Sequence, residues 1–312
     1  MAAAQEAGLQ AGPAPVPRCV FEARALVGEC PRWHAQHQAL YWVDIYAPAL
    51  HRHDPASGAN VSWPLPERIG CFAFRREGGL IAGMQSGIYL VDFDAGRPGT
   101  PVTTRLVHAF DPDNPESRFN DGRCDPGGRF WAGTMLEAMN QRSSVLLRVG
   151  HDLRVTQMVD DLITPNGMAF SPDGRTLYHS DSRQDLVWAW DFDPASGEIA
   201  NRRVFLTMDI QEGRPDGAAV DAEGGYWICH VGGWHLARYT PQGMIDRVIG
   251  IPVQRPTACA FGGPDLRTLY VTSARMPLPE AMLRKQPLAG GLFALDAGVA
   301  GLPEPCFGAP QA

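Results

Sequence analysis

A strand-and-turn unit recurs six times along this chain, and that repeat leaves few folds open to it. Each unit passes through a Gly- or Asp-containing turn into a short aromatic and β-branched strand. These strands begin at Ala39-Leu-Tyr-Trp-Val-Asp44, Gly79-Leu-Ile-Ala-Gly83, Gly128-Arg-Phe-Trp-Ala-Gly133, Arg175-Thr-Leu-Tyr-His179, Gly225-Tyr-Trp-Ile-Cys229 and Arg267-Thr-Leu-Tyr-Val-Thr272. Partner strands follow, such as Ile88-Tyr-Leu-Val-Asp92, Leu186-Val-Trp-Ala-Trp190 and Gly291-Leu-Phe-Ala-Leu295. Asp54-Pro-Ala-Ser-Gly58 and Asp193-Pro-Ala-Ser-Gly197 read as hairpin turns. The period is about 40 to 50 residues, the length of a four-stranded propeller blade. No segment carries the sustained helical period that a βαβ fold needs. The expectation is an all-β chain folded as a six-bladed β-propeller, four strands to a blade, around a central channel.

The blades account for residues 18–312. Residues 1–17 are Ala/Gly/Pro-rich, lack a basic segment followed by an apolar one, and read as a disordered tail rather than a signal peptide. The chain carries a formal charge of −7 and no lysine- or arginine-rich run, which excludes nucleic acid and anionic membrane surfaces as partners. No apolar run approaches the roughly 20 residues that span a bilayer. Seven scattered cysteines, none in a C-x-x-C pair, point to reduced thiols and a cytoplasmic location.

The units align with one another beyond their turns. Pro165-Asn166-Gly-Met-Ala-Phe-Ser-Pro-Asp-Gly174 matches Pro215-Asp216-Gly-Ala-Ala-Val-Asp-Ala-Glu-Gly224 position by position. Phe119-Asn120-Asp-Gly-Arg-Cys-Asp-Pro-Gly-Gly128, Gly28-Glu29-Cys-Pro-Arg-Trp33, Pro256-Thr257-Ala-Cys-Ala-Phe261 and Ile69-Gly70 fit the same frame. Each segment is expected to be the innermost strand of its blade. Equivalent positions then form one ring around the axis: Glu29, Gly70, Asn120, Asn166, Asp216 and Thr257. Side chains alternate along a strand, so apolar neighbours such as Ala169, Phe170 and Val220 can fill the blade interiors.

Five of the six ring residues offer a side-chain oxygen, and two are carboxylates. Such a set suits one hard divalent cation, Ca²⁺, Mg²⁺ or Mn²⁺, with Zn²⁺ and Fe²⁺ as further options. Glu29, Asn166 and Asp216 would supply three ligands and leave positions for water and substrate. Alternatively, these residues only close turns and solvate a wet channel. Arg118, near the ring, either clamps substrate oxygens through its guanidinium or closes a surface turn. His51 and His53 fall on an outer strand, and His34, His37, His108 and His151 fall in loops. His179 reads as a packed strand residue, while His230 and His235 flank Gly232-Gly233-Trp234 near the fifth inner strand, where one could line the mouth. No nucleophile motif and no phosphate-binding loop is present.

The chain resembles the gluconolactonase/regucalcin (senescence marker protein) family along nearly all of its length after the tail. The resemblance rests on Gly28-Glu-Cys-Pro-Arg-Trp33, Tyr41-Trp-Val-Asp-Ile45, Arg118-Phe-Asn-Asp-Gly-Arg123, Trp131-Ala-Gly-Thr-Met135, Asn166-Gly, Ser180-Asp-Ser182, Pro215-Asp-Gly217 and Phe261-Gly-Gly263. It implies a six-bladed propeller and a metal-dependent lactonase acting on a sugar lactone. It also implies metal ligands at Glu29, Asn166 and Asp216, and substrate contacts at Arg118 and Asn120. The aspartate matching Asp216 is the implied proton donor and acceptor, with Asp181 as a second candidate base. A calcium-binding regulatory protein without catalysis is the other role the resemblance carries. The expected assembly is a monomer or small homo-oligomer. Two departures stand out. Cys30 replaces the usual Gly or Ser after the ligand glutamate, and a substrate-contacting glutamate of some relatives falls at Ala138, one place after Glu137.

Overall fold

Six four-stranded antiparallel sheets form among the residues described by the computed structural model, which are 15–111 and 113–309. The expected tail therefore lies almost wholly outside the described residues. The innermost strands are Gly28–His34, Ile69–Phe74, Ser117–Cys124, Pro165–Phe170, Arg214–Val220 and Pro256–Gly262, for blades 1 to 6 in turn. Each packs against the inner strand of the next blade, and the sixth returns to the first, so the sheets close a circle. This is the six-bladed propeller expected from the repeat. No helix among the described residues is long and apolar enough to cross a membrane.

Blade 6 shows a device that the repeat did not reveal. Its C-terminal part supplies only three strands, and the fourth is Arg18–Phe21, paired antiparallel with Leu292–Asp296. The two ends of the chain are thereby joined in one sheet, leaving no open seam between the first and last blades. Burial inside and between blades is heavy: Trp42, Trp63, Trp131 and Trp227 are almost wholly buried, each side chain contributing about 1.5–3 kcal/mol. Two of these are locked by a repeated polar contact. Asp125 accepts the indole N–H of Trp131 and the Nε–H of Arg129, and Asp221 accepts that of Trp227 and the Nε–H of Arg238.

One end of the channel is closed. The C-terminal segment crosses it, with Phe307 bonded to the Phe74 carbonyl and Gly308 to that of Gly128. Within this segment the Glu304 carboxylate faces the buried guanidinium groups of Arg32 and Arg123 at 3.1 and 3.2 Å. Access to the ring is left to the opposite end.

Candidate active site

All six inner strands break register at the ring. The shifts fall between Glu29 and Arg32, Ile69 and Cys71, Phe119 and Gly122, Asn166 and Ala169, Pro215 and Ala218, and Pro256 and Cys259. A bulge re-aims the side chain it carries, and here it recurs at one level in every blade. Gly167 adopts a left-handed φ of 58°, which glycine accepts without steric cost. Gly70 is glycine for a different reason. A Cβ there would lie 2.2 Å from the Phe119 carbonyl oxygen, because blade 3 passes directly over it. Glu29, Asn120, Asn166, Asp216 and Thr257 line one cavity of about 410 Å³.

Hydrogen bonds between blades fix the polar atoms. The Asn166 Nδ2 donates to Ser182 Oγ at 2.9 Å, and that hydroxyl donates to the Pro215 carbonyl at 2.6 Å. The Asn166 amide oxygen is thereby turned the other way. Asn120 donates from Nδ2 to the Pro165 carbonyl and accepts Arg118 Nη1 on Oδ1 at 2.8 Å. Thr257 donates to the Gly28 carbonyl, tying blade 6 to blade 1. Cys30 sits in the blade 1 bulge at a φ of 50°, with its sulfur against the Phe72 backbone N–H at 3.3 Å. Burial pushes this thiol up to about 11, so it is a packing group and not a reactive one.

The two ring carboxylates share an unfavourable setting. Glu29 meets the cavity and is otherwise enclosed by protein; burial, then the Asp121 charge, pushes its carboxyl up to about 8. Burial, then Glu29, raises Asp216 well above the usual range. Asp121, unassigned from sequence, is held by the backbone N–H groups of Gly122 at 2.8 Å and Met168 at 2.9 Å. The mutual repulsion of these carboxylates would be relieved by a cation nearby. Among the described residues no group of three or more His, Cys, Asp or Glu side chains is arranged to hold a metal ion. A cation at the ring would therefore rely on the freed Asn166 oxygen beside Glu29 and Asp216, and that donor set fits a hard cation.

This arrangement sets a pH dependence. Between about 4.5 and about 8 the folded chain keeps a Glu29 proton that the unfolded chain has lost. Stability of chelator-treated protein should fall as pH rises through that window. Thermal melts at pH 5 and pH 8 check it: Glu29→Gln should flatten the fall, and equal slopes for variant and parent would contradict the assignment.

Two residues before each ring position lies a second level: Val27, Arg68, Arg118, Thr164, Arg214 and Arg255. Four of the six are arginine, and all except Arg68 line the cavity. The signal was available in the same alignment, read one pleat earlier. Glu137 accepts Arg118 Nε at 2.9 Å, Arg68 Nη1 at 3.0 Å and the Tyr46 hydroxyl. Glu137 therefore orients Arg118 rather than lining the cavity, and Ala138 is exposed. Asp181 is also outside the lining. Its buried carboxylate accepts the backbone N–H groups of Ile163, Thr164 and Arg183 and the Gln184 amide. Its oxygens are thus committed to donors outside the cavity. Asp44 holds Leu26 and Val27 in the same way in blade 1. No histidine lines the cavity; His230 is buried against His235 and Tyr239 instead.

The family model described as "SMP-30/Gluconolactonase/LRE-like region" matches residues 27–275, a span containing both levels. The chain belongs to this family. The 6-deoxy-6-sulfogluconolactonase of Pseudomonas putida is 41% identical over 93% of this chain and 98% of its own. The L-arabinolactonase of Azospirillum brasilense is 34% identical over 94% and 96%. Among solved structures of the family's fold, a calcium-binding protein, regucalcin, from Agrobacterium tumefaciens superposes with a TM-score of 0.87. It is 29% identical, covering 94% of this chain and 97% of its own.

Proposed function

We propose that this protein is a lactonase, a hydrolase that opens a sugar lactone to its aldonic acid, with one divalent cation on Glu29, Asn166 and Asp216. The observation that carries the reading is the pairing of two buried carboxylates and an oriented amide oxygen with an arginine-lined cavity of about 410 Å³. The names of the lactonase relatives support the same reaction class. A bound cation would supply Lewis-acid polarisation of the lactone carbonyl. Asp216 takes a proton from the attacking water as its oxygen bonds to the carbonyl carbon. The ring C–O bond then breaks and Asp216 returns the proton to the departing oxygen. Arg118 and Asn120 hold sugar hydroxyls and orient the ring. The Ser182 hydroxyl is committed to Asn166 and the Pro215 carbonyl, which favours water over a covalent serine intermediate.

The same donor set would also serve a cation-binding protein that performs no turnover. A panel of gluconic, galactonic, arabinonic and xylonic lactones, followed by pH indicator against the spontaneous rate, separates the two. Turnover above background on any of them supports the enzyme. Background rates on all, with cation binding measurable by calorimetry, would leave the binding role.

A further inference from the structure

The arginines of the upper level are not equally neutralised. Arg68 and Arg118, on blades 2 and 3, share Glu137. Arg214, on blade 5, pairs with Asp185 at 2.7 Å and with the Ser182 carbonyl at 3.0 Å. Arg255, on blade 6, has no ion pair or side-chain hydrogen bond among the described residues, and its Nε is buried without a partner. Arg255 is half-buried, and Arg52 and Arg275, half-buried too, also lack a carboxylate, but neither of those lines the cavity. Each fully buried arginine (Arg32, Arg118, Arg123, Arg129 and Arg238) has a carboxylate within 3.2 Å. Arg183, exposed at the mouth, meets only the Met139 sulfur, at 3.4 Å. Burial, then the Arg214 charge, depresses Arg183; burial depresses Arg255, partly offset by the Asp216 charge, with Arg183 adding to the depression. In a chain of net charge −7, cationic excess is gathered on the blade 4–6 arc of the cavity.

A guanidinium held in a cavity without a carboxylate is poised for an anion from outside. The Asp216 charge reaches Arg255, but the two form no ion pair among the described residues, and Glu29 and Asp216 are the residues proposed to hold the cation. We propose that the preferred lactone carries an anionic group (sulfonate, phosphate or carboxylate) received by Arg255 and Arg183. This rests on the lactonase reading and adds the substrate's charge class to it. The anion would sit at the arginines, with the carbonyl over the lower level.

The test compares glucono-δ-lactone with the same lactone carrying a sulfonate at C6, in the parent, Arg255→Gln and Arg183→Gln proteins. The ratio of kcat/KM, charged over neutral, should favour the charged lactone in the parent and fall about 10- to 100-fold in each variant. Arg183 is exposed, so its variant leaves the fold intact, and Arg183→Lys should restore part of the ratio. Calorimetry with the ring-opened sulfonate against plain gluconate gives a second readout independent of turnover: tighter binding of the sulfonate, lost in both glutamine variants. Equal rates for both lactones in the parent, with turnover present, would overturn this inference and leave the lactonase reading standing. Absence of turnover on either lactone would overturn that reading, and the calorimetry then decides the arginine assignment by itself.

Discussion

Replacing Asp216 by asparagine should cut lactone turnover by about a thousandfold or more while leaving the propeller folded. Asp216 anchors no other blade with its side chain, and its burial beside Glu29 makes its charge a cost to the folded chain. Asparagine keeps the shape and removes that charge. The melting temperature of chelator-treated protein should therefore hold or rise while kcat collapses. Glu29→Gln should behave alike, since among the described residues the Glu29 carboxylate accepts only the neighbouring Cys30 N–H. Circular dichroism melts and steady-state rates on the same preparations distinguish this from simple unfolding. Retained turnover in either variant would remove these residues from the site.

The second large effect has the opposite pattern. Asp181→Ala should destabilise the protein by about 3–5 kcal/mol, because it strands several buried or half-buried N–H donors at once. For a chain of this size, that is a drop in Tm of roughly 10 °C. The residual folded protein should still turn over substrate, since Asp181 lies behind the loop that carries Thr164 and does not face the cavity. Loss of activity at full stability would restore Asp181 as the base and displace Asp216. The two aspartates thus answer to different measurements.

The fold was legible because a propeller writes the same local pattern into each blade. Turn, aromatic strand and register recur within about 40 to 50 residues, so a single sequence can be aligned with itself. The lower ring came from that alignment, and the structure brings Glu29, Asn120, Asn166, Asp216 and Thr257 to one cavity. What remained hidden depends on contacts between distant segments. The Arg18–Phe21 closure strand resembles no strand of its own blade, and its pairing with Leu292–Asp296 joins the two ends of the chain. Glu304 meets Arg32 and Arg123 only once the channel has closed. The arginine level was missed for another reason. An arginine at a strand entrance usually reads as a solvated side chain, and only the shared register of Arg68, Arg118, Arg214 and Arg255 sets these apart. Asp121 stands within a family motif but shows no role in the sequence; the bulge that turns it toward Glu29 is a backbone feature.

The most direct test of the central claim is lactone hydrolysis by chelator-stripped protein, before and after single divalent cations are added back, with Glu29→Gln alongside. The account predicts background rates in the stripped protein, restoration by at least one cation in the parent, and no restoration in the variant. Full turnover in stripped protein, or equal restoration in Glu29→Gln, would contradict it.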